Sequence, residues 1–168
     1  YESIKREISS AYINSVDTIL VKGKTAKSKI KQIRKISDFL IGLSILNQSD
    51  GEVMLKDVLG YEKLPPREVI SRIDITMKTM FSHLKDSIRT GNFKQEYNEI
   101  KALDIEVNRN YFLIWKLTKK GGLNGIDYSI VDPSYFLWLA MNHEYIGDEV
   151  KRVARDLIDS MRFHGLVG

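Results

Sequence analysis

Leu137–Asp159, LWLAMNHEYIGDEVKRVARDLID, is the stretch whose reading decides the fold. It is rich in helix formers, has no internal proline, and repeats its apolar residues at helical spacing. Leu139, His143, Ile146, Val150, Val153, Leu157 and Met161 step by three and four, which predicts one shared helical face. Glu144 and Asp148 lie four apart and so stack one turn above the other, at the edge of that face. Two acids in this relation repel each other and mildly destabilise a helix unless a cation sits between them. Gly147 costs about 1 kcal/mol of helix propensity relative to Ala. In exchange it lets another helix or a ligand come close. From spacing alone the acidic pair reads as a solvated helix edge, and a binding site is the sharper alternative.

Upstream, the same 3.6-residue period governs two more long segments. Val69–Arg89 carries Ile70, Ile73, Met77, Met80, Leu84 and Ile88 as a heptad-like seam, and Gly91 and Asn92 end it. Lys94–Lys120 places Ile100, Leu103, Val107, Tyr111, Ile114 and Thr118 on one side. Gly121, Gly122, Asn124 and Gly125 make a loop, and Asp132-Pro133 then opens the final helix with a capping residue and a first-turn proline. Three antiparallel helices of this length make a three-helix bundle over residues 61–168.

Residues 1–60 read differently, as a small α/β unit of helix, strand, helix and hairpin. Glu2–Ser15 is helical through Ile4, Ile8 and Tyr12, with Ala11 beside them. Val16–Lys22 alternates like a strand of β-branched residues, and Gly23 ends it. Thr25–Ile41 returns to helical spacing, with Gly42 suited to its C-terminal cap. Leu43–Asn47 and Glu52–Asp57 flank a Gln48-Ser-Asp-Gly51 loop, a hairpin signal. Pro65-Pro66 marks the boundary between the units, since Pro66 fits the first turn of a helix. The fold class expected is therefore mainly α: a three-helix bundle preceded by a small α/β unit.

Composition narrows the function classes. The chain has 168 residues, 43% hydrophobic and 29% charged, as expected of an ordered protein with a proper core. No apolar run approaches the roughly 20 residues of a membrane span, and no signal peptide is visible, so a cytoplasmic location is expected. Cysteine is absent, which excludes disulfides and thiolate metal sites. His83, His143 and His164 are dispersed, without the spacing of a zinc hydrolase. His143, alone on the core face, reads as a hydrogen-bonded core residue rather than a ligand. Gly121-Gly122 is followed by Leu123, so no phosphate-cradling loop forms, and no nucleophile elbow is present. An enzyme is therefore not expected. A carboxylate-metal enzyme on a helical bundle would need more ligands than the sequence offers. The net charge of +4 permits contact with an anionic partner without requiring one. Lys22, Lys24, Lys27, Lys29, Lys31, Arg34 and Lys35 are clustered, but no aromatic residues are interleaved to stack bases, so they read as a solvated face.

Four segments carry a family resemblance. Glu144-Tyr-Ile-Gly-Asp148, followed by Val150 and Ala154, resembles the last-helix signature of the PhoU family of phosphate-uptake regulators. Tyr145 stands where that signature usually has arginine, and Glu149 where it has histidine. Ile100–Trp115, with Asp104 and Asn108 four apart, resembles the second-helix Asp-x-x-x-Asp motif, an amide replacing the second acid. Val53-Met-Leu-Lys-Asp57-Val-Leu with Leu64-Pro65 resembles the corresponding run of archaeal-type members, and Tyr12–Val21 also looks like that class.

The resemblance implies an all-α regulator of phosphate homeostasis that acts on a phosphate transporter or a signalling protein, with no enzymatic activity. It implies a metal site of Asp104, Asn108, Glu144 and Asp148 for iron, zinc or manganese. Asn108 removes one negative charge, so the expectation is a weakly held divalent ion or none. Since only one bundle is present, a homodimer is expected, and the surplus aromatics Phe112, Trp115 and Tyr135 point to a partner surface. In archaeal-type members an AbrB-like DNA-binding module often precedes this region. The chain opens on Tyr1 rather than Met, so DNA contact is expected only through such an upstream module. The alternative is the effector or dimerisation part of a DNA-binding transcription regulator.

Overall fold

A computed structural model describes residues 2–23, 28–49, 51–59, 64–119 and 132–163, with the Pro133 side chain left out. Their elements run α1 (Glu2–Ile13), β1 (Thr18–Lys22), α2 (Ile30–Phe39), β2 (Leu43–Gln48), β3 (Glu52–Asp57), α3 (Pro66–Thr90), α4 (Phe93–Lys119) and α5 (Pro133–Phe163). The protein is mainly helical, with a small antiparallel sheet. Lys24, Lys27, the glycines from Gly121 to Gly125, and His164 lie outside the described residues.

The chain divides into two compact units, the first made of α1 to β3 together with α4 from Phe112 onward. Its sheet has the order β1-β3-β2. Thr18 pairs with Lys56 and Lys22 with Glu52 on one side of β3, and Leu43 pairs with Asp57 on the other. The β2–β3 register slips between Ile45 and Asn47, leaving Leu46 as the extra residue of a bulge. Val53 and Leu55 alternate inward from β3 and pack with Ile8, Tyr12, Ile33, Ile36, Leu40 and Leu43. Thus α1 and α2 close one face of the sheet. α2 ends at Phe39 because Leu40 is already extended, and Gly42, at φ 85°, turns the chain into β2 where a side chain would be strained.

The second unit holds α3 from Arg67, α4 up to Tyr111, and α5 from Ser134. Pro66 and Pro133 stand at the first positions of α3 and α5, where a missing N–H costs nothing. α3 and α4 are joined by a tight turn in which Gly91 takes φ 75°. Val69, Ile73, Met77 and Met80 of α3 are buried, as are Ile100 and Val107 of α4, whereas Ile88 is exposed.

On α5 the buried face is rotated from the one the apolar spacing predicts. Ile146 and Val153 are 41% and 42% exposed, while Phe136, Ala140, Val150, Ala154 and Ile158 are buried, with Gly147 among them. The cause lies in Ala140, Gly147 and Ala154, which recur every seven residues and let the neighbouring helices close in. A Cβ on Gly147 would stand 3.3 Å from Met77 Sδ and 3.8 Å from Val107 Cγ1. Large apolar residues cannot occupy that line, so they fall to its flanks.

Candidate functional site

All four sequence-predicted site residues lie in the second unit, on α4 and α5. Asp104 is buried because it sits between Ile100 and Val107 on the inward side of α4. Asn108 follows one turn later, half-buried, and its Nδ2 donates to the Asp104 carbonyl at 2.9 Å. Glu144 is half-buried on α5, and Asp148, one turn further, is about half exposed.

Two of the four, Asp104 and Asp148, are joined by Lys151, which the sequence reading did not single out. Its Nζ donates to Asp104 Oδ2 and to Asp148 Oδ1, each at 2.6 Å. The ammonium thus ties α4 to α5 and sits between the two carboxylates. Burial works against the charged lysine, but its hydrogen bonds with Asp104 and Asp148 prevail and raise its pKa above the ordinary value. Burial also pushes the Glu144 carboxyl up, and the negative charges of Asp148 and Asp104 act in the same direction, against Lys151. Asp104 Oδ1 is buried and has no hydrogen-bond partner among the described residues.

This arrangement suits an ammonium rather than a metal ion. A divalent cation needs carboxylate oxygens converging at roughly 2.0–2.6 Å. Here one oxygen of Asp104 and one of Asp148 already face Lys151, so an incoming metal ion would have to displace the ammonium to reach them. A signal for Lys151 existed in the sequence: it stands three residues after Asp148, where a cation on the same helix can reach back.

The other titratable groups have structural roles. His143 Nδ1 lies 2.8 Å from the Leu139 carbonyl, a hydrogen bond within α5, as the reading of a core histidine requires. His83 Nδ1 meets Glu96 Oε2 at 2.6 Å across the α3–α4 hairpin. On α2, Lys31, Arg34 and Lys35 are exposed, while Ile33 and Ile36 are buried. In the first unit, Lys116 of α4 is fully buried, ion-paired with Asp57 at the end of β3, and its Nζ lies 4.2 Å from the centre of the Tyr12 ring. Its only sequence signal is a lysine inside the apolar run Phe112–Leu117.

Of the aromatics, Phe112 meets Phe39 edge-to-face at 5.6 Å within the first unit. Tyr135 instead stacks on Trp138 at 6.2 Å, and both are more than half exposed. Met141 and Tyr145 continue that outward side of α5. No described helix is long and apolar enough to cross a membrane.

No family model, curated protein or solved structure matches this chain.

Proposed function

We propose that the chain is a non-enzymatic regulator of phosphate uptake, acting as a homodimer through contacts with a phosphate transporter or its signalling partner. The observation that carries this reading is the meeting of two distant motifs. Asp104 of the Asp-x-x-x-Asn segment and Asp148 of the Glu-x-x-x-Asp segment come from different helices and share one ammonium. These are the residues on which the resemblance to phosphate-uptake regulators rests. The exposed Tyr135, Trp138, Met141 and Tyr145 give the contact surface of the homodimer, since aromatic residues left in water on one helix side favour a partner.

The test is phosphate uptake in cells that lack the protein. Uptake that no longer falls when phosphate is plentiful, restored by the intact chain, is the expected result. Normal regulation in its absence would refute the reading.

A further inference from the structure

We propose that the free edge of β1 is a docking site for an extended acidic peptide, which adds to the sheet as a fourth strand. β1 stands at the end of the order β1-β3-β2, so only β3 pairs with it among the described residues. Backbone bonds at either end fix which of its groups face outward. The Asp57 amide donates to the Asp17 carbonyl at 3.0 Å, and the Gly23 amide to the Gly51 carbonyl at 2.9 Å. Hydrogen-bonded pairs alternate along an antiparallel ladder, so Ile19 and Val21 turn their N–H and C=O groups to β3. Those of Thr18, Leu20 and Lys22 point away from it, to the unpaired edge. The opposite edge, β2, carries the bulge at Leu46, a device that disrupts further pairing. β1 keeps an unbroken register and has no proline.

A cavity of about 430 Å³ lies along this edge, since four consecutive residues, 19–22, line it. That volume falls within the roughly 300–1,000 Å³ of ligand pockets. Ile4 and Ile8 of α1 and Ile33 of α2 supply its apolar walls. Strand addition uses this combination: main-chain bonds give affinity, and alternate side chains enter the pocket. Charge selects the occupant. Lys22 and Lys29 line the cavity, and Lys31, Arg34 and Lys35 stand exposed on α2 beside it. Lys22 lies 3.5 Å from Glu52, but both side chains are exposed, so that pair is weak. Glu7 also lines the cavity, and its carboxylate accepts a hydrogen bond from Ser3 Oγ at 2.8 Å. A strand of alternating acidic and β-branched residues fits this edge. Its aliphatic side chains turn inward with Ile19 and Val21, and its carboxylates turn outward beside Lys22. The edge lies wholly in the first unit, and its chemistry is the same whatever the chain regulates.

The test uses the full chain and a fluorescein-labelled peptide, Glu-Val-Glu-Val-Glu, with Lys-Val-Lys-Val-Lys as its basic counterpart. Fluorescence anisotropy is expected to show saturable binding of the acidic peptide, at least about tenfold tighter than of the basic one. Amide exchange followed by NMR should slow at Leu20 and Lys22 on binding. Lys22→Glu with Lys29→Glu should reverse the charge preference. Leu20→Pro removes an N–H that faces the edge and not β3, so the ladder keeps its bonds while peptide binding is lost. If that variant fails to fold, the exchange data and the charge-reversed variant decide. No saturable binding up to millimolar peptide, equal binding of the two peptides, or binding without slower exchange at Leu20 and Lys22 would overturn the proposal. So would protection of those amides in the free chain that vanishes on dilution, which would assign the edge to a second copy.

Discussion

Lys116 and Asp57 form an ion pair sealed inside the first unit, their side chains 0% and 3% exposed. Asp57 joins the end of β3 to this pair, and its other oxygen accepts a hydrogen bond from the Leu59 amide at 3.2 Å. Above the ammonium, the Tyr12 ring supplies a π face, and the Tyr12 hydroxyl donates to the Ile41 carbonyl at 2.8 Å. α1, α4 and the β3 end are thus tied together by one buried charge. Replacing Lys116 by Met would strand the carboxylate, a change that costs about 3–5 kcal/mol when the pair is buried. Asp57→Asn in the same chain removes the stranded charge and keeps an acceptor for Leu59. The double variant is expected to recover most of the loss in urea unfolding. A single variant as stable as wild type would show that the pair contributes little.

Gly147 sets how closely α3 and α4 approach α5. Gly147→Ala gains about 1 kcal/mol of helix propensity, but its Cβ would press on Met77 Sδ, the flexible end of a side chain. The two effects should nearly cancel, leaving stability within about 1 kcal/mol of wild type. Gly147→Leu has no such outlet and is expected to lose about 1–3 kcal/mol, the usual cost of overpacking. Chemical denaturation of both variants separates these outcomes.

Glu144 has a folded-state pKa raised by burial and by the acids beside it. The folded state thus holds this proton more tightly than the unfolded state, and stability from this group is greatest in acid. It falls as pH rises through the folded pKa. Glu144→Gln removes that dependence, so the variant is expected to gain on wild type in melting temperature at neutral pH and to lose the advantage below the ordinary glutamate pKa. An advantage independent of pH would assign the effect to packing instead.

The outward side of α5 is the proposed dimer surface. Trp138→Ser combined with Tyr145→Ser changes residues that are 57% and 66% exposed, so the fold should lose less than about 1 kcal/mol. Self-association, followed by sedimentation at micromolar concentration, should weaken at least about tenfold if these rings are interface anchors. A wild-type chain that sediments as a monomer at that concentration would remove this surface from the account.

The elements were legible where local chemistry is strong. Pro66 and Pro133 fix two helix starts, Gly91 the α3–α4 turn, and the alternation of Ile19 and Val21 the first strand. The α5 face was misread because large apolar residues signal burial more loudly than Ala140, Gly147 and Ala154, which are buried for being small. On α4, Leu113, Lys116 and Leu117 are buried alongside Ile114 because that end of the helix belongs to the first unit. A one-sided stripe does not describe such a helix. For the site, Asp104 and Asp148 were legible as stacked acids with Asn108 and Glu144, but Lys151 acquires its meaning only when α4 and α5 are side by side. Lys116 is the same case, since its partner lies at the end of β3.

The most direct measurement is phosphate transport by a phosphate transporter of the same organism, reconstituted in vesicles, with the purified chain on the side that faces the cell interior. The account predicts that micromolar chain lowers the transport rate and that Trp138→Ser with Tyr145→Ser weakens this effect. Transport unchanged across that concentration range would contradict regulation by direct contact.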